Sequence, residues 1–107
     1  YGLHRQKQMP VFRIFKKELF GDRELSEDEI SANVSLTQQI MNTVIREIKL
    51  TGFWDSIPAQ NRLKQELQEI LLSEAFAKIP SMIQKYNAMI SRILEFAKAN
   101  HFRLIQG

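Results

Sequence analysis

Hydrophobic positions in this chain recur at spacings of three and four, the mark of helices that each bury one face. Phe12, Phe15 and Leu19 form the first such stripe, in a segment from about Pro10 to Phe20. Pro10 suits the first helical turn, where its missing N–H costs little, and Gly21 follows as a stop. The second segment opens at Ser26, and its buried stripe is Ile30, Val34, Met41, Val44, Ile45 and Ile48. Ser26 and Glu29 have the S-x-x-E spacing of a capping box, in which each side chain satisfies an orphan backbone N–H of the first turn. Leu25 and Ile30 flank it at the positions of a hydrophobic staple. Carried through to Leu50, this helix spans roughly 37 Å at about 1.5 Å per residue. Gly52 then supplies a left-handed cap.

The third segment runs from about Ser56 to Ala75. Ser56 reads as its N-cap, Pro58 is tolerated in the first turn, and Leu63, Leu67, Ile70 and Leu71 line one face. Pro80 pushes Ile79 out of the helical region and breaks the chain. A fourth stripe then follows in Ile83, Tyr86, Met89, Ile90, Ile93, Leu94 and Ala97, ending near Ala99. In the tail, Phe102, Leu104 and Ile105 either cover the bundle or await the rest of a longer chain. No clear period-2 run and no Asn-Gly hairpin appears. The pattern predicts an all-α fold, a small up-and-down bundle of about four helices, with Leu67, Ile70, Ile90 and Ile93 in its core.

Composition adds bounds. The 107 residues suggest one domain spanning positions 1–107, and an apolar content of 44% is that of a globular chain. The start at Tyr1 reads as a piece cut from a larger protein. No apolar run approaches the ~20 residues of a membrane span, and no secretory signal precedes the first helix. The chain has no cysteine, which removes disulfides and thiolate chemistry and fits a cytoplasmic setting.

The net charge of +3 is mild, but its distribution is blocked. Arg5, Lys7, Arg13, Lys16 and Lys17 lead, then Asp22, Glu24, Glu27, Asp28 and Glu29. The last third is basic again, with Lys78, Lys85, Arg92, Lys98 and Arg103. Alternation of this kind fits an interaction module better than a dedicated nucleic-acid binder.

Catalytic chemistry finds little support. The only histidines, His4 and His101, lie in the two terminal segments, where they could meet at a metal, but no carboxylate has ligand spacing. Asp28 with Glu29, and Glu66 with Glu69, read as helix-dipole and surface carboxylates. Ser56 and Ser81 read as caps, with no base nearby. No Gly-rich phosphate loop is present. The sequence therefore predicts no enzyme activity and no cofactor for this segment.

Two kinds of binding surface remain. Arg13, Lys16 and Lys17 on the first helix, with Lys85 and Arg92 on the fourth, are candidates for phosphate contacts; the alternative is a solvated polar face. Leu36 and Ile40 on the second helix, and Leu72 and Phe76 one turn apart on the third, fall off the core stripes. With Phe53 and Trp54 they make a candidate partner-facing patch, Trp54 being the single tryptophan. The alternative for Phe53 and Trp54 is burial of their own joint.

The stretch IREIKLTGFWDSIPAQNRLKQELQEILL resembles the C-terminal helical region of type I restriction enzyme R (motor) subunits. The shared features are the helix Ile45 to Leu50, the Phe53-Trp54 joint, Gln60, and the Leu-rich helix from Leu63 to Leu72. The segment from Met82 to His101 is similar to the closing helix of that region. The resemblance implies a C-terminal fragment of an ATP-dependent deoxyribonuclease, whose nuclease carboxylates and Walker motifs are not in this chain. It implies a non-catalytic role, docking the motor onto the methyltransferase (modification) subunit, with DNA reached through the complex and no membrane partner. A small helical nucleic-acid binder, or a dimerisation module using the Leu36 and Leu72 faces, are the alternatives.

Overall fold

The computed structural model describes residues 3–5 and 7–106, and all of its regular structure is helical. Helix α1 covers Met9–Phe15 and passes directly into a π-helical turn, Lys16–Phe20. The wider turn advances the inward face by one position, so Phe15, Leu19 and Phe20 all reach the core. Gly21 ends it at φ 68° and ψ −145°, a conformation open to glycine and strained for any side chain.

Helix α2, Glu27–Ile48, carries the predicted capping box. The Ser26 hydroxyl accepts from the Glu29 N–H at 3.2 Å, and the Glu29 carboxylate accepts from the Ser26 N–H at 2.9 Å. Its 22 residues span about 33 Å. Gly52, at φ 74°, reverses the chain as expected and leads into a 3-10 turn, Phe53–Asp55. Helix α3, Ile57–Leu71, is capped by Ser56, whose hydroxyl accepts from Ala59 N–H at 3.2 Å. It stops four residues before the predicted end. Ser73 closes it by bonding the Ile70 carbonyl at 2.8 Å, and a separate single turn, α4, Glu74–Ala77, follows.

Helix α5, Met82–Ala99, begins where Pro80 predicts. Ser81 does not cap it through its side chain. The Met82 N–H bonds the Ile79 carbonyl at 3.1 Å, with Ser81 at φ 70° and ψ −1°. Those angles, with Pro80 ahead of them, belong to a type II turn, whose third position requires positive φ. Helix α6, His101–Ile105, closes the chain.

Chain order is also spatial order. Helix α2 lies between α1 and α3; α3 lies between α2 and α5; α5 returns to α1 and its π turn, closing a ring of four. Helix α6 covers the bundle against α2 and α5. The radius of gyration is 13.4 Å, close to the ~13 Å expected of a compact domain this long.

Leu63, Leu67 and Leu71 of α3 and Met89 and Ile93 of α5 are fully buried, with Ile90 beside them and Ile70 packed partly against them. Asn33 and Thr37 are polar yet buried. Asn33 donates to the Phe12 carbonyl at 3.4 Å and accepts from Thr37 at 3.4 Å, so the α1–α2 contact satisfies its own polar groups. Three expected core positions differ. Ile83 is 65% exposed, because Met82 takes the inward place at the start of α5. Ile30 and Val34 are only half-buried, because the inward face of early α2 is Asn33, Leu36, Thr37 and Ile40 instead.

Candidate docking surface

The joint between α2 and α3 is tied down by one side chain. The Gln60 amide donates to the Trp54 carbonyl at 3.0 Å and to the Phe53 carbonyl at 3.4 Å. The amide thus partners the Trp54 carbonyl and adds a second bond to the Phe53 carbonyl, which also accepts from the Ser56 N–H at 3.1 Å. Phe53 points inward and is 1% exposed. Trp54 meets it edge to face, with ring centroids 4.7 Å apart and planes at 87°.

From Trp54 the aromatic contacts run outward. The indole N–H donates to His101 Nδ1 at 3.0 Å, which fixes the start of α6 against the joint. His101 in turn meets Phe102 edge to face, at 5.3 Å and 79°. Phe102 ends the series at 77% exposure, the most exposed large apolar side chain among the described residues. Beside Trp54 a shallow recess of about 230 Å³ opens between α3 and α5. Gln60, Lys64, Leu94, Glu95 and Lys98 share its wall with the indole. This end of the bundle therefore offers an exposed aromatic, a half-buried indole and a rim carrying both signs of charge.

Phe102 stands outside the sequence-based candidates, although its signal was present. His101, Leu104 and Ile105 share one face at spacings of three and four, which turns Phe102 to the other.

The sequence-predicted patch is not assembled. Leu36 and Ile40 are 0% exposed: they are core residues, not a spare shoulder. Helix α2 is flanked by α1, α3 and α6, so it buries a wider arc than a helix with one neighbour. Phe76 is 4% exposed and belongs to α4, so the one-turn relation to Leu72 lapses where α3 ends. Leu72 packs partly against the core. Of that group Trp54 alone borders the recess described above.

Two of the basic candidates, Lys85 and Arg92, are brought together around an acid. Glu18 on the π turn accepts from Arg92 and lies 3.9 Å from Lys85, so packing of that turn on α5 pairs these cations. Lys16 donates to the carbonyls of Gly21 at 2.9 Å and Arg23 at 3.2 Å, which closes the end of the turn. Arg13 and Lys17 remain exposed. A continuous basic strip does not result.

The histidines lie in separate local arrangements. His4 Nδ1 accepts from the Lys7 N–H at 3.1 Å, while His101 Nδ1 is bonded to Trp54. Among the described residues no group of three His, Asp or Glu side chains is placed to hold a metal ion, and no helix is long and apolar enough to cross a membrane. One carboxyl is strongly perturbed. The Arg23 guanidinium, followed by the Ser26 N–H, lowers the Glu29 carboxyl from an ordinary 4.5 to about 2. That pair locks the α2 N-terminus and lies far from the Trp54 recess. The chain matches no family model, no curated protein and no solved structure in the comparisons made.

Proposed function

We propose that this chain is a non-catalytic assembly module of a type I restriction enzyme R subunit, docking the motor onto the methyltransferase core in the cytoplasm. The observation that carries the reading is Phe102, a large aromatic held outside the core at 77% exposure. Interface energy concentrates in aromatic anchors that are rigid before binding, because little side-chain entropy is then lost on contact. The Trp54–His101 hydrogen bond ties down the start of α6, the backbone from which Phe102 projects. The resemblance to R subunits supports the same region, since its Phe53-Trp54 joint and Gln60 build the base from which the aromatic series leaves. Lys64 and Lys98 on the rim would steer the approach of an acidic partner surface.

The test is a calorimetric titration of the chain against its cognate methyltransferase, with duplex DNA alone as the control. Saturable binding to the methyltransferase that weakens on Phe102→Ala is the expected result. Tight binding to DNA with none to the methyltransferase would overturn the reading and favour a nucleic-acid role for exposed Arg13 and Lys17.

A further inference from the structure

At the opposite end of α2, some 33 Å from the Trp54 joint by helix length, lies an apolar trough that the bundle does not fill. Its deeper part, about 290 Å³, is walled by Phe12, Leu25 and Ile30, with Lys16 and Glu24 at its mouth. It continues along the outer side of α2 as a shallower depression of about 420 Å³, floored by Ile30, Ser31, Val34 and Ser35. Ile30 borders both parts, so the two adjoin at its side chain. The small serines beside Ile30 and Val34 keep the strip low enough for another helix to lie close.

The segment leading into α2 beside the trough is predominantly acidic, with Lys16 the one cation in the trough wall among the described residues. Asp22, Glu24, Glu27 and Asp28 are all exposed, and among the described residues none of them enters an ion pair. Of the nearby cations, Arg23 pairs with Glu29 and Lys16 donates to two backbone carbonyls, while Arg13 and Lys17 are exposed on the first helix and its π turn and do not line the trough.

We infer that this trough binds a cationic amphipathic protein helix, whose apolar side chains one turn apart seat over Ile30 and Val34 and whose lysines or arginines meet Glu24, Glu27 and Asp28. The apolar strip supplies the contact and the acidic rim selects the partner's charge. The inference stands apart from docking through Phe102, which lies at the other end of the molecule.

The probe is a synthetic helical peptide of leucines and lysines at amphipathic spacing, titrated into the isotopically labelled chain. Its leucine–glutamate counterpart and a DNA duplex are titrated in parallel. The lysine peptide should shift the amide signals of Leu25, Ile30 and Val34 and bind more weakly as salt is added. Ser31→Arg places a bulky cation in the trough at an exposed helical position, and should weaken binding about tenfold or more. Glu24→Gln with Glu27→Gln, which leaves the trough open, should weaken binding and flatten its salt dependence. Phe102→Ala should change neither. No binding, shifts elsewhere on the surface, an affinity indifferent to both the Ser31 and the Glu24/Glu27 variants, or equal binding of the glutamate peptide or the duplex would each overturn the inference.

Discussion

Gly52 and Ser81 occupy nearly the same left-handed backbone conformation, at φ 74° and 70°, and only one of them is suited to it. A side chain in that region is pressed against the neighbouring carbonyl, which costs roughly 1–2 kcal/mol. Ser81→Gly removes that strain, and the greater freedom of glycine in the unfolded chain offsets part of the gain. The variant should be more stable by about 0.5–1 kcal/mol, read from a urea midpoint at unchanged slope. A lower midpoint would show that the serine side chain contributes more than its backbone costs. Gly52 was legible in the sequence because a glycine after a helix announces this cap. Ser81 was not, because the turn type follows from Pro80 together with the angle at which α5 leaves α4. Trp54 offers a second test. Trp54→Phe keeps most of the ring but deletes the donor to His101, and should cost about 0.5–1.5 kcal/mol. No change in the denaturation midpoint would remove the hydrogen bond from the account of how α6 is held.

Local rules predicted the starts of helices better than their inward faces. The capping box of α2 and the Ser56 cap of α3 depend on residues within one turn, so both were readable. The inward face of α2 depends on how many helices surround it. A stripe drawn through Ile30 and Val34 assumes one neighbour, whereas α1 and α3 of the ring and the covering helix α6 all pack on α2 and draw Leu36 and Ile40 into the core. The π turn is likewise a packing outcome, set by the need to bury Leu19 and Phe20 together. The capping box also makes a pH prediction. Glu29 has its carboxyl lowered in the folded chain, so its contribution is present above the unfolded value near 4.5 and is lost as pH falls toward about 2. The native protein should therefore lose stability between those limits through this group, and Glu29→Gln should lose less over the same interval. Parallel urea titrations at pH 6 and pH 3 measure the difference. Identical losses in the two proteins would mean that the Arg23 pair does not survive in solution.

At the scale of the molecule, the ring of four helices separates residues that hold the fold from residues that leave it free to bind. The joint was legible in the sequence from Gly52 and the Phe53-Trp54 pair, and the spacing of His101, Leu104 and Ile105 turned Phe102 outward, but its place beside Trp54 follows only from the docking of α6. Leu67 sits fully buried on α3, whose two sides face α2 and α5. Leu67→Asp would place an unpaired carboxylate there, costing several kcal/mol, comparable to the ~5–15 kcal/mol that hold a domain together. Circular dichroism should show the variant largely unfolded at 25 °C, and an unchanged melt would remove Leu67 from the core. Phe102→Ala should behave in the opposite way. At 77% exposure the ring gives up little burial, so the melting midpoint should stay near that of the native chain. If the ring is the anchor of the docking surface, the same substitution should weaken binding to the methyltransferase by roughly 1–3 kcal/mol, about 5- to 150-fold in Kd. Because the fold is intact, such a loss reports on contact and not on unfolding. An unaltered Kd in a folded Phe102→Ala protein would take the aromatic series off the interface, whatever else the module binds.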